Sequence, residues 1–350
     1  MNIQKITQSK LSNIKLESLA FGETFSDHML VCYYKDGKWG TPSVEPYGPI
    51  SVFPSLKAIH YGQSIFEGMK AFKDQDKNVF LYRPEMNFKR MNDSAKRMAM
   101  PEVPAEVFLD GLKALVDLDS AWIPETPGAS LYLRPFMFAS ESAIRAASSS
   151  EYIFMIICSP VNTYYDQPLK VKIADKFSRS ASGGVGSAKV AGNYAASFLP
   201  TIEVSKEGFD QIIWTDSSTH TFLEEAGTMN VFARIGDTLF TPCLSDRILH
   251  GITRDSVIQI AKSKSIEVIE QDITVETIVN AHKDGSLKEV FGCGTAVVVS
   301  QFSSIGYKDQ LLTLPVLQAE ESYAVQIKKW LQDIQYNRAE DPFGWRVAVK

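Results

Sequence analysis

The chain has 350 residues, with 36 Lys and Arg against 41 Asp and Glu, a formal charge of −5, and 45% of it is hydrophobic. At roughly 150 residues per domain, that length accommodates two domains with ample apolar material for their cores. Plentiful aromatic and β-branched residues exclude disorder as the main state. The mild negative balance, with no Lys/Arg run, excludes a dedicated nucleic-acid binder.

Residues 1–25 mix Lys, Glu, Gln and Ser and lack the unbroken apolar core of a secretory signal. The longest strongly apolar run, 152–158, falls far short of the roughly 20 residues that a bilayer span requires. Cys32, Cys158, Cys243 and Cys293 stand far apart, which is neither a disulfide framework nor a zinc spacing. The histidines are equally scattered, with no His-x-x-x-His pair. A reduced cytoplasm is the expected setting, and no metal site is expected.

Residues 29–34, followed by Lys35-Asp36-Gly37-Lys38, read as a strand and a turn. The runs 64–72 and 79–82, joined by the polar stretch 73–78, predict a hairpin. Pro84 suits the first position of a helix, and Phe88, Met91, Ala95 and Met98 recur behind it at helical spacing. A second helix is expected over 105–118, and buried strands over 130–138 and 152–158. Two prolines and little periodicity in 159–168 put the domain joint there. The expected division is a small N-terminal α/β domain over 1–160, an interdomain loop over 161–168 and a large C-terminal domain over 169–350.

Beyond the joint the pattern predicts strands at 169–174 and 211–215, with a helix starting near Asn193 between them. A hairpin follows over 231–241, turning at Gly236-Asp237. Helices are expected at 253–262 and 275–282, strands at 266–269 and 288–300, and a closing amphipathic helix over 316–336. Strand and helix alternate without a strict repeat, so the pattern alone favours neither a barrel nor a dinucleotide domain.

Four segments bear on chemistry. The first, Ser178 to Tyr194, is built almost wholly of small residues around Lys189. By composition it reads as a flexible linker with a solvated lysine. It fails as a phosphate loop, because Lys189 follows Ala188 instead of Gly and precedes Val190 instead of Ser or Thr. If the stretch is buried, small residues let a planar ligand approach the backbone. Desolvation would then make the amine a nucleophile towards carbonyls, as a Schiff-base lysine requires. The second, Phe222 to Asn230, pairs Glu224 and Glu225 beside a Gly-Thr turn. Adjacent acids are ordinarily a solvated pair, yet a buried carboxylate against a cationic ring nitrogen is the electronic partner of pyridoxal phosphate.

The third segment, Val290-Phe-Gly-Cys-Gly-Thr-Ala296, offers amides and a hydroxyl to a phosphate, or else a β-bulge. The fourth clue is arginine in unusual settings. Arg83 sits at a strand end before a proline, and Arg134 lies inside the apolar Leu131-Tyr-Leu-Arg-Pro-Phe136. A charge there is expensive unless it meets an anion, structural or substrate.

Together these segments closely resemble branched-chain amino-acid aminotransferases of the fold-type IV pyridoxal-phosphate class. The matching motifs are His60-Tyr-Gly-Gln-Ser-Ile-Phe-Glu-Gly-Met-Lys-Ala-Phe72, Leu81-Tyr-Arg-Pro84, Leu131-Tyr-Leu-Arg-Pro135, Lys189-Val-Ala-Gly-Asn-Tyr194, Glu225-Ala-Gly-Thr-Met-Asn230, Leu249-His-Gly-Ile-Thr-Arg254 and Phe291-Gly-Cys-Gly-Thr-Ala296. They stand in the family's order from His60 to Ala296, and the resemblance covers about residues 20–340.

The resemblance implies an α+β, two-domain fold of the D-amino-acid-aminotransferase-like type: a small α/β domain plus a larger, cofactor-binding domain with a β-barrel-like core. It implies pyridoxal 5'-phosphate as cofactor and a ping-pong exchange of the amino group between L-leucine, L-isoleucine or L-valine and 2-oxoglutarate. Lys189 then matches the catalytic lysine that holds the cofactor and shuttles a proton between substrate Cα and cofactor C4′. Glu225 matches the acid on the pyridine nitrogen and Tyr194 the tyrosine on the ring hydroxyl. Arg83 and Thr295 match phosphate ligands, helped by backbone amides near Arg247, Ile248 and Ala296, and Thr228 lies close to the ring.

For substrate, Tyr132 matches a ligand of the α-carboxylate, and Arg134 the side chain reaching the second carboxylate of glutamate or 2-oxoglutarate. Tyr61 and Phe66 match walls of the apolar pocket, with Ala296 beside it. The resemblance also implies a homodimer, with small molecules as the only other partners and neither membrane nor nucleic acid. A D-amino-acid aminotransferase or an aminodeoxychorismate lyase on the same scaffold are the rival activities. One departure is visible. Where animal members carry Cys-x-x-Cys, this chain has Ala296-Val-Val-Val-Ser300, so a thiol–disulfide switch of that kind is not expected.

Overall fold

The computed structural model describes residues 1–16, 19–162 and 167–350. Residues 163–166 of the loop expected at 161–168 lie outside these. The backbone groups into two units of comparable length. One comprises Met1–Tyr164, Ala188–Gly192 and Ile334–Lys350, and the other Tyr165–Ser187 and Asn193–Asp333.

The first unit is built on a largely antiparallel sheet. Its centre is the pair Ser130–Ala139 and Tyr152–Val161, in register from Ser130 opposite Val161 to Ala139 opposite Tyr152. Apart from Arg134, both strands are largely apolar and mostly buried, and Leu133, Met137, Phe154 and Ile156 are fully buried. His28–Lys35 flanks Tyr152–Val161, and its turn at Asp36-Gly37 falls where expected, with both residues at positive φ. The run expected over 64–72 is two strands, Ser64–Phe66 and Met69–Lys73, broken at Glu67-Gly68. Its hairpin with Val79–Tyr82 forms as predicted, with Ala71 opposite Leu81.

Pro84–Arg97 is helical from Pro84, behind a left-handed Arg83 at φ 50. It buries Asn87, Arg90, Met91, Ser94 and Ala95 on one face. The second expected helix opens as a wider π turn, Glu106–Asp110, before the α-helix Gly111–Leu118. Backbone pairing explains why two distant segments group with this unit. Phe66 N–H donates to Lys189 O at 3.0 Å, and Ala191 N–H to Ser64 O at 3.0 Å. The strand Arg346–Ala348 adds to Val79–Tyr82, and Arg83 N–H donates to Trp345 O at 2.8 Å.

In the second unit six strands close on themselves. Leu223–Ala226 pairs with Gln211–Thr215, which pairs with Leu169–Ile173, and that strand with Val298–Tyr307. Val298–Tyr307 then pairs with Leu287–Gly294, and Leu287–Gly294 with Met229–Ile235. Met229–Ile235 returns to the first strand through Ala226 opposite Met229. This barrel is what the family resemblance implies, not what the alternation of elements favours. Val171, Ile173, Ile213, Val231, Ile278 and Ile305 belong to its core. The single strand expected over 288–300 is two, because the chain folds back between Gly294 and Val298, with Val298 at φ 62.

The final helix is shorter than the expected 316–336: it runs Tyr323–Gln335, and Val316 is 96% exposed. Its start is fixed by Glu289, whose buried carboxylate accepts from Tyr323 N–H at 2.8 Å and Ala324 N–H at 3.1 Å. Ser322 Oγ accepts from Val325 N–H at 3.2 Å. A hydroxyl and an anion at the first turn satisfy amides that the helix itself leaves unpaired. Among the described residues, no helix is long and apolar enough to cross a membrane.

Candidate active site

Each unit carries its own set of the expected residues. In the first, the anchor is Lys189. The flanking Ala188 and Val190 are buried and Lys189 itself is half-buried. Its backbone N–H donates to Ser94 Oγ at 3.0 Å, and its Nζ lies 4.7 Å from the centroid of the Phe66 ring. The Arg134 guanidinium also lies against Phe66, at 4.6 Å, and Nη2 of Arg134 donates to Tyr132 Oη at 3.1 Å. Phe66, Tyr132, Arg134 and Lys189 therefore form one group: an amine, a guanidinium and a phenol around an aromatic face. A cation over an aromatic ring is held at about 0.5–2 kcal/mol, depending on its exposure to water.

Tyr61 is not joined to that group by these contacts. It is 46% exposed, its hydroxyl donates to Ile144 O, and it lines a cavity of about 400 Å³ with Gln63, Met98, Ala99 and residues 146–148. Arg83 is buried in the left-handed conformation at the end of its strand, with its guanidinium 4.8 Å from the Trp345 ring.

Three neighbours went unremarked in the sequence. Glu67 is fully buried, and Arg90 donates to both of its oxygens at 2.7 Å, with Asn87 Nδ2 also at 2.7 Å. This cluster holds the break between Phe66 and Gly68. The break brings Gly68 against Tyr132: a Cβ there would lie 2.2 Å from Tyr132 Oη. Glu67 lies inside one of the quoted motifs, and a carboxylate between two apolar strands is the signal that marks it.

In the second unit, the segment around 178–187 is not a free linker. Ser180 Oγ donates to Arg247 O at 2.7 Å, and Ser187 N–H to Asp246 O at 2.9 Å. Tyr194 is half-buried in the single helical turn Gly192–Ala195, and Asn193 Nδ2 donates to Val185 O at 2.9 Å. Glu225 is 3% exposed on the strand Leu223–Ala226, paired across to Asn230. Its Oε1 accepts from Leu249 N–H and meets Arg179 Nη2 at 3.3 Å.

Its neighbour Glu224, 1% exposed, is held by Arg247 Nε at 2.5 Å. The solvated-pair reading of these two acids does not hold. Burial pushes the Glu224 carboxyl above its ordinary range, against the pull of Arg247, whose own basicity Glu224 raises. Arg179, the only charged residue between Ser178 and Ala188, is the signal that a reading centred on Lys189 passes over.

The hydroxyl and amide groups lie on turns. Thr228 is exposed beside Gly227, which stands at φ 59, and Thr295 and Ala296 are half-buried in the turn between Gly294 and Val298. The two turns adjoin, since a Cβ at Gly294 would lie 3.5 Å from Thr228 O. Ile248 is buried, and the N–H groups of Arg247 and Ile248 both donate to Ser245, to Oγ at 3.3 Å and to O at 3.4 Å. Cys293 beneath the turn is a buried free thiol, pushed up by burial to about 12, which keeps it protonated and inert.

Residues 64–305 match the family model described as amino-transferase class IV. A branched-chain-amino-acid aminotransferase 2 of Bacillus subtilis (strain 168) is 40% identical over 349 residues, covering 99% of this chain and 96% of that protein. Among solved structures, a branched-chain aminotransferase from Thermoproteus uzoniensis with norvaline superposes with a TM-score of 0.76 at 22% identity, covering 92% of this chain and 100% of that one. The T.th. branched-chain amino acid aminotransferase complexed with N-(5'-phosphopyridoxyl)-L-glutamate gives 0.72 at 23% identity, covering 91% and 98%. At those identities the solved structures speak for the fold.

Proposed function

The chain belongs to the class IV aminotransferases, and from that premise we propose that it exchanges the amino group between L-leucine, L-isoleucine or L-valine and 2-oxoglutarate, with pyridoxal 5'-phosphate as cofactor. The observation that carries the reading is the half-buried amine of Lys189 over Phe66, beside the linked side chains of Arg134 and Tyr132.

The donor set fits the cofactor. It comprises a primary amine at Lys189, a buried anion at Glu225, a phenol at Tyr194, a guanidinium at Arg83 and hydroxyls at Thr228 and Thr295. Lys189, Arg83, Tyr194, Glu225, Thr228 and Thr295 would hold it, with backbone near Arg247, Ile248 and Ala296 completing the phosphate contacts. When bound, the cofactor supplies an electrophilic carbonyl and an electron-withdrawing ring. Lys189 takes the proton from the substrate Cα and returns it on the other side of the exchange. Glu225 would supply the negative charge that favours a protonated ring nitrogen, since a buried carboxylate favours a cation beside it.

Tyr132 and Arg134 serve the substrate. Tyr132 orients the α-carboxylate, and Arg134 answers the second carboxylate of glutamate. The Arg134 guanidinium is held against the Phe66 ring, and that ring is the hydrocarbon offered to leucine-like side chains. Discrimination among leucine, isoleucine and valine is modest, since one methylene is worth only about 1–3 kcal/mol. The exposed Phe53, Ile59, Tyr61 and Ile144 of the first unit support a homodimer, and four free cysteines support a reducing cytoplasm.

The test is direct. Borohydride reduction of the holoenzyme followed by peptide mapping should place the cofactor on Lys189, and Lys189→Ala should abolish leucine:2-oxoglutarate exchange. Covalent cofactor and normal turnover in Lys189→Ala would end the reading. Activity with D-leucine but not L-leucine would move the assignment to the D-amino-acid enzymes.

A further inference from the structure

We propose that Arg179 is a positioning residue that fixes the direction and the charge of Glu225, a role that rests on reading Glu225 as the partner of the ring nitrogen.

Arg179 has a side chain only 9% exposed. Burying a guanidinium is unfavourable unless anions or carbonyls receive it. Its Nη2 meets three acceptors: Glu225 Oε1 at 3.3 Å, Gly186 O at 3.0 Å and Arg247 O at 2.5 Å. One nitrogen thus ties the strand Leu223–Ala226 to the backbone three residues before Lys189 and to the loop at 245–249.

The approach is close enough to require glycine at 186, where a Cβ would lie 2.5 Å from Arg247 O and 2.7 Å from Ser180 Oγ. The same Glu225 oxygen also accepts from Leu249 N–H. A carboxylate gripped from behind by a cation and an amide stays ionised and cannot swing, and that is what a fixed partner for a ring nitrogen needs. Lysine would keep the charge but not the planar, delocalised guanidinium whose terminal Nη2 meets all three acceptors.

Glu224 belongs to the same arrangement. Its carboxylate holds Arg247 Nε, and Arg247 in turn donates to Ser182 Oγ at 3.2 Å, which fastens the loop whose carbonyl receives Arg179. Four charges of alternating sign therefore converge where an isolated acid would suffice for pairing alone.

The experiment reconstitutes apo-protein with pyridoxal 5'-phosphate and compares wild type, Arg179→Met, Arg179→Lys and Glu225→Gln. Equilibrium dialysis gives the cofactor dissociation constant, and a pH titration of the bound cofactor's visible absorption gives its midpoint. Arg179→Met should bind the cofactor roughly 10- to 100-fold more weakly, the size of a lost charged hydrogen bond. Its midpoint should move by about half a unit or more. Arg179→Lys should recover part of both.

Wild-type affinity and an unmoved midpoint in Arg179→Met, with both altered in Glu225→Gln, would overturn the role of Arg179 and leave Glu225 in place. Glu225→Gln without effect on either would remove the reading of Glu225 and this inference with it. Should Arg179→Met fail to fold, Arg179→Lys carries the test: a midpoint displaced from wild type with weakened cofactor binding supports the role, and wild-type affinity with an unmoved midpoint overturns it.

Discussion

Arg90 closes on both oxygens of Glu67 at 2.7 Å, and the two side chains are 10% and 0% exposed. Such a pair is a weak source of net stability, but removing one partner leaves a bare charge in the interior. Arg90→Met should therefore destabilise the protein by about 3–5 kcal/mol, read as a fall in the thermal midpoint. Replacing both partners with apolar residues of similar size should recover most of that loss. A single variant as stable as wild type would show that water reaches Glu67.

A Cβ at Gly68 would lie 2.2 Å from the Tyr132 hydroxyl and 3.1 Å from the ring carbon that carries it, so Gly68→Ala should push the whole phenol aside while the backbone keeps its course. The expected result is a KM for amino acid raised about tenfold or more, corresponding to roughly 1.4 kcal/mol of lost carboxylate binding, with the thermal midpoint little changed. An unchanged KM would argue that Tyr132 does not meet the substrate.

The turn that delivers Glu224 and Glu225 to their strand is organised by Asp216. Burial alone would raise its carboxyl. The N–H groups of Phe222, Thr219 and Thr221, with the Thr219 hydroxyl, overcome this and bring it down to about 2. A carboxylate depressed on folding stabilises fully above its unfolded value near 3.8 and loses that contribution as pH falls through about 2. The loss should amount to about 2 kcal/mol in wild type and be absent in Asp216→Asn. Stability curves of the two proteins between pH 5 and pH 2, about the window of that titration, are the measurement. Parallel curves would refute the assignment.

Much of this architecture is legible in local pattern. Pro84 announces its helix, and the turns at Asp36-Gly37 and Gly236-Asp237 announce theirs, because each depends on a few adjacent residues. The barrel is not legible in that way. Leu169–Ile173 and Val298–Tyr307 lie side by side in parallel, and nothing in either segment names the other. The turn at Thr295 is concealed for a related reason: strands on both sides of it are apolar, so periodicity runs straight through.

Of the site, the expected reactive groups are marked by their chemistry. Arg179, Glu67 and Arg90 are not, because what makes them notable is burial and partnership, and these exist only once the chain has folded.

Neither unit is a continuous length of chain, and this bears on synthesis. A nascent chain that has grown through Asn230 already holds the hairpin carrying Glu225, yet lacks the strands Leu287–Gly294 and Val298–Tyr307 needed to complete the ring. Likewise Arg83 is made early, but Trp345, whose carbonyl receives its amide, is made near the end. Translation must therefore run through position 307 before the ring can close and through position 345 before Arg83 has its support, and until the ring closes the emerging polypeptide presents unpaired strand edges open to chaperones.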